Sequence, residues 1–255
     1  MTASSSYNTY SRKFSPDSIS GLIIDLDARD VAVGAITSWT DRKNNYTLTG
    51  NATRDSQMNG YPSVTFNGTS DRLYTTSNAI TQINGSTATT TVVVMKDTLT
   101  ASNSQGFVCG LSNSSVTFLS NIWAAGPFTV EAEPSAVIIN QSYGNVGSNF
   151  RYFASNNASP GVLSCVVDFN EAGASEASTI RYNGQVPSIL VPPGPYSLDN
   201  TGTFPSMDVL LGSWNSGTFP WPGSITKMLI YNRRLTTAET EYLERGVSKL
   251  GGFNI

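Results

Sequence analysis

IYNRRLTTAE, residues 230–239, changes secondary structure within ten residues. Ile230 and Tyr231 finish GSITKMLIYN, an apolar run whose residue types suit a pleated strand. Two arginines and a leucine follow. Thr236 and Glu239 then stand at capping-box spacing, where the threonine oxygen and the glutamate carboxylate each satisfy an orphan backbone N–H. Ala238, Tyr242, Leu243, Val247 and Leu250 share one helical face, and Lys249 before Gly251 suits a C-terminus. A helix is therefore predicted over 237–250, clamped on something larger. Gly246 in its middle costs about 1 kcal/mol against alanine, so packing elsewhere must hold it.

Upstream of this stretch the chain reads as strands. GLIIDLDARD is a strand running into a polar loop, and AITSWTDRKNNYTLTG carries Trp39 on a short strand with a turn at Asn44-Asn45. In YPSVTFNGTSDRLYT, Val64 and Phe66 alternate with polar neighbours, Asn67-Gly68 turns and Leu73 resumes. TATTTVVVMKD is a long buried strand rich in β-branched residues. SQGFVCGL, SVTFLSNIW, PSAVIINQ, NFRYFAS, GVLSCVVDF, STIRYNGQV (with a turn at Asn183-Gly184) and MDVLLGSW follow. Prolines 187, 192, 193, 195 and 205 mark a loop. About a dozen strands with turn signals between them imply a sandwich or barrel. Residues 1–20 are Ser-rich and aperiodic, so they read as a flexible arm ahead of a domain at 21–255.

The composition excludes several chemistries. The chain has no histidine, which removes imidazole-based catalysis and His-ligated metals. Charged residues are 13% of the chain, net charge is −3, and no basic stripe exists for nucleic acid. No apolar segment has the length of a membrane span or signal peptide. Cys109 and Cys165 lie in apolar runs and read as buried free thiols.

GLIIDLDARD, SWTDRKNN, GYPSVTFNGTSDRLYT, STIRYNGQ and the closing VLLGSW…WPGSITKMLIYNRRLTTAETEYLERGVSKLGG, in that order, resemble concanavalin A-like lectin/glucanase domains of the laminin-G-like type. The resemblance spans residues 21–252 and implies an all-β jelly-roll sandwich of two antiparallel sheets with one short C-terminal helix. It also resembles the version of this domain found in bacteriophage virion proteins. With the missing signal peptide and histidines, that implies a virion surface, capsid-decorating or tail-associated structural protein. Its expected role is adhesion to host surface polysaccharide or decoration of the particle. The arm, through Tyr7, Tyr10, Phe14 and Ile19, is expected to dock on other virion proteins, and a homo-oligomer is left open. A polysaccharide-degrading hydrolase and a calcium-dependent lectin are the alternatives.

Three groups of residues are candidates for chemistry. A retaining glycosidase needs two carboxylates about 5 Å apart; Glu131 and Glu133 share a strand face but Pro134 interrupts it, while Asp168 and Glu171 fall on opposite faces. No catalytic residue is assigned, and the expectation is a protein that is not an enzyme. Calcium needs about six to eight oxygens, for which Asp25, Asp27, Asp30, Asp41 and Asp71 are the candidate ligands, turn-capping being the plainer role. For sugar, SWNSGTFPWPGS gathers Trp214, Phe219 and Trp221 as flat apolar faces beside Asn215.

Overall fold

The structure is a computed structural model and describes residues 14–98, 105–112, 120–125, 136–143, 146–154, 160–170, 178–186, 202–214 and 219–255. Among the described residues fourteen strands run in chain order: β1 (Leu22–Asp27), β2 (Gly34–Thr40), β3 (Thr47–Met58), β4 (Tyr61–Asn67), β5 (Arg72–Tyr74), β6 (Ala88–Asp97) and β7 (Gln105–Ser112). They continue as β8 (Ser120–Ala125), β9 (Ala136–Tyr143), β10 (Val146–Ala154), β11 (Gly161–Asp168), β12 (Ser178–Tyr182), β13 (Asp208–Leu211) and β14 (Pro222–Tyr231). Asn59-Gly60 closes the β3–β4 hairpin, with φ of 51° and 82°. Asparagine and glycine occupy such left-handed positions most readily, and the resulting turn matches the strand twist. Asn183-Gly184 repeats the device after β12, with φ of 47° and 81°.

Every pairing is antiparallel, along the path β10-β9-β8-β7-β13-β5-β3-β4-β14-β6-β11-β12, with β1 added on β14 and β2 on β3. The path curls on itself. Cys165 of β11 and Cys109 of β7 stand far apart along it, yet both belong to one buried cluster with Val93, Leu73, Phe66 and Trp221. The result is the expected all-β jelly roll, built as one hydrogen-bonded sheet folded into two layers. Burial pushes the Cys165 thiol up to about 12 and raises Cys109 as well, so both stay protonated.

Strand alternation creates a second, outer cluster. Val93 and Met95 point inward, whereas Val92 and Val94 join Val162, Leu229 and Tyr231 on the opposite face. There the helix α1 (Thr237–Ser248) lies down, followed by a 3₁₀ turn over Lys249–Gly251. It is the α-helix of the described residues. Its start is a complete capping box: Thr236 accepts from the Glu239 backbone N–H, and Glu239 accepts from the Thr236 backbone N–H at 2.8 Å. The buried face is Thr240, Leu243, Glu244, Val247 and Ser248. Ala238 and Tyr242 of the expected face are exposed, and Glu244, paired with Arg181, is buried in the contact.

Phe14 and Ile19 pack on this same cluster, so the chain from residue 14 onward belongs to the domain; residues 1–13 lie outside the described residues. The expected arm of 1–20 is thus shortened, Phe14 and Ile19 packing within their own chain. Gly246 has its reason here, since a Cβ on it would lie 2.1 Å from the Phe14 ring. Alanine at Gly246 is therefore expected to bring none of the ~1 kcal/mol that helix propensity offers. In a Phe14→Ala background the same change should recover it. Urea unfolding of the four proteins in that cycle tests the contact; a gain from Gly246→Ala alone would refute it.

Arg233 fastens the helix start to the sheet, donating to Glu239 at 2.7 and 3.1 Å. That bond, with the Thr236 backbone N–H, lowers the Glu239 carboxyl from 4.5 to about 2. A carboxylate lowered on folding adds stability above its unfolded pKa and loses it as pH falls toward the folded value. Stability should therefore fall between about pH 4.5 and 2, and the slope should be shallower in Glu239→Gln. Equal slopes for the two proteins in denaturant titrations across that range would sink the assignment.

Candidate functional site

Four of the five candidate aspartates come together, three of them around cations of the chain itself. Asp25 and Asp27 alternate with Ile24 and Leu26 on β1, so their side chains leave the inner face. Lys227 lies opposite Asp27 in the β1–β14 register, is 2% exposed at its side chain, and bonds Asp25 as well as Asp27 at 3.1 Å. Arg29 and Arg42 reach Asp27 at 2.6 and 2.8 Å, and Arg42 also grips Asp30. The hydrogen bond from Arg29 and the charges of Lys227, Arg29 and Arg42 outweigh burial and hold Asp27 well below the usual carboxylate range. Burial raises Asp25 against the pull of Lys227.

Asp41 accepts from the backbone N–H groups of Asp25, Lys43 and Asn44, fastening the turn after β2 against β1. Asp71 stands apart on the β4–β5 turn, accepting from the Asn67 N–H at 3.1 Å. The five residues are ion-pair partners and turn caps and do not fit a calcium cage, whose oxygens must converge on one external cation. Among the described residues no group of three or more His, Cys, Asp or Glu side chains is arranged to hold a metal ion.

The aromatic platform is also taken apart. Trp221 is fully buried against Phe66, with ring centroids 6.0 Å apart, and its Nε1 donates to Asp97 at 2.9 Å. Trp214 is 9% exposed and meets Phe107 edge-on. Phe219 alone is exposed; Asn215 lies outside the described residues. Strand β14 begins beside Trp221, so the loop's rings drop into the sandwich edge. Of the carboxylates considered for catalysis, Asp168 faces Arg234 at 3.4 Å, and Glu131, Glu133 and Glu171 lie outside the described residues.

A groove of about 340 Å³ opens elsewhere, on the outer face between β11–β12 and the start of α1. Register builds its floor: Ser164 pairs with Arg181 and Val166 with Thr179, putting all four side chains on one face. Leu235, Thr236, Thr237 and Thr240 form the helix-side wall, and Val186 stands at the rim, 67% exposed. Arg181 is held from below by Glu244, whose carboxylate accepts from Nε at 3.1 and 3.2 Å, and Nη2 donates to Gly184 O at 2.8 Å. Burial raises the Glu244 carboxyl, with Ser164 and Arg181 opposing. Chemically the groove offers hydroxyls, a pinned guanidinium and aliphatic contacts from Val166, Leu235 and Val186. Sequence reasoning missed it, although the alternation of Thr179 and Arg181 in STIRY put a charge on a buried-type strand.

No protein-family model and no curated protein matches the chain. Solved structures do. The binding domain of botulinum neurotoxin serotype D/C is similar over 92% of this chain and 53% of its own, at 10% identity and a TM-score of 0.62. The binding domain of botulinum neurotoxin DC in complex with SialylT matches over 91% and 52%, at 9% identity and 0.61. Trypanosoma rangeli sialidase in complex with 2,3-difluorosialic acid matches over 92% of this chain and 34% of the enzyme, at 15% identity and 0.62. The chain thus spans about half the length of the toxin domains, and the likeness is one of fold.

Proposed function

We propose that this domain is a non-catalytic, lectin-like carbohydrate-binding module of a bacteriophage virion, adhering to host surface glycan or decorating the particle. The observation that carries the reading is the groove between β11–β12 and α1. Its volume of about 340 Å³ falls at the small end of the roughly 300–1,000 Å³ usual for ligand sites, and its lining mixes hydroxyls with aliphatic side chains. Two proteins of the same fold lend support, one solved with SialylT and one with difluorosialic acid. The virion setting rests on the sequence resemblance.

Binding without cutting is supported by how the described carboxylates are engaged. Asp25 and Asp27 hold Lys227, Glu244 holds Arg181, and Asp168 faces Arg234. A general acid and a nucleophile each need a carboxyl facing substrate. The test is an array of host-surface polysaccharides, with a reducing-end assay on every hit. Binding without release of reducing ends is the expected result. Release that disappears in Glu131→Gln or Glu133→Gln would make the protein a hydrolase.

A further inference from the structure

We propose that the groove takes an uncharged glycan end, one or two neutral pyranose units, in preference to an acidic sugar. The inference rests on the lectin-like reading and adds the ligand class. Its ground is which polar groups of the groove are already engaged. Each guanidinium has a carboxylate of the chain beside it: Arg181 has Glu244 and Glu241, at 3.1 and 3.3 Å, and Arg234 has Asp168 at 3.4 Å. Glu244 is wholly buried under Arg181. An incoming sugar carboxylate would meet cations whose charge is already balanced, and would lose its hydration with little return.

What remains open is suited to alcohols. Thr179 and Thr237 line the same groove, and no hydrogen bond joins their hydroxyls to another described residue. The bonds of Arg181 run through Nε and Nη2, leaving the Nη1 hydrogens without an acceptor among the described residues. Two hydroxyls that both donate and accept, with one donor pair, match the neighbouring O–H groups of a pyranose. Val166 and Val186 supply aliphatic contact for the C–H face of the ring. Among the described residues the groove lining includes no aromatic ring, so affinity should be weak.

The experiment is amide chemical-shift titration of the full chain with lactose, maltose and N,N′-diacetylchitobiose against 3′-sialyllactose and digalacturonate. A neutral probe should shift residues 164–166, 179–181 and 236–237. Thr179→Val and the more exposed Thr237→Val should each weaken it at least fivefold while leaving the spectrum otherwise folded. Raising NaCl tenfold should leave its Kd unchanged. Binding of the acidic probes alone at these residues would overturn the neutral-sugar assignment and leave the lectin reading standing. Neutral binding unaffected by either variant would move the site off the groove, again sparing that reading. Silence of every probe here and on the polysaccharide array would remove both.

Discussion

Replacing Lys227 with methionine is expected to cost about 3–5 kcal/mol, the usual penalty for breaking a buried ion pair from one side. The ammonium is 2% exposed and sits between Asp25 and Asp27, whose side chains are 7% and 0% exposed. Asp27 would keep Arg29 and Arg42. Asp25 would keep only distant help from Arg42, so the uncompensated charge falls on it. Two consequences follow in urea unfolding. The single variant should lose its stability without a change in m-value, and Lys227→Met with Asp25→Asn should recover part of the loss, because the amide needs no counter-charge. A double variant no more stable than the single one would show that the cost lies in Asp27 or in packing. The cluster fastens β1 onto β14, the first described strand in chain order onto the last, and so has a structural reason to exist apart from any metal.

What was legible in the chain follows from which signals are local. Strand alternation and the Thr236–Glu239 box depend on residues a few positions apart, and the strands, the helix start and the buried cysteines follow from them. The resemblance supplied the jelly roll on top of that. The curl into one continuous sheet depends on pairings such as β13 with β7, which no local pattern encodes. The site failed for a related reason. Asp25 looked like a free oxygen ligand because its cation, Lys227, is 202 positions away and sits in an apolar run, whereas Asp27 also had Arg29 only two positions along. Lysine inside SITKMLIY was the available clue: an ammonium in a buried strand requires carboxylates, and the only question is which. The groove likewise needs β12 beside β11 and α1 across both, so Thr179, Arg181 and Thr237 meet only in three dimensions.

The loop tryptophan carries the other large effect. Trp221→Ala should destabilise the domain by about 3–5 kcal/mol, as truncating a buried aromatic does. The ring is 0% exposed, and the surrounding backbone is shaped to it. A Cβ on Gly223 would fall 2.1 Å from the indole, and one on Gly106 would fall 2.9 Å from the Trp221 backbone. The Nε1 bond to Asp97 adds a polar anchor inside the sandwich edge. Phenylalanine at Trp221 keeps most of the apolar volume but removes that donor from a carboxylate 3% exposed, so Trp221→Phe should cost about 1–3 kcal/mol. Phe219, 48% exposed, is the control, and Phe219→Ala should stay within about 0.5 kcal/mol of the parent. The ordering separates a ring that plugs the fold from one that serves a ligand. If Trp221→Ala left stability unchanged and abolished glycan binding, the ring would belong at the surface and the groove beside α1 would lose its claim as the site.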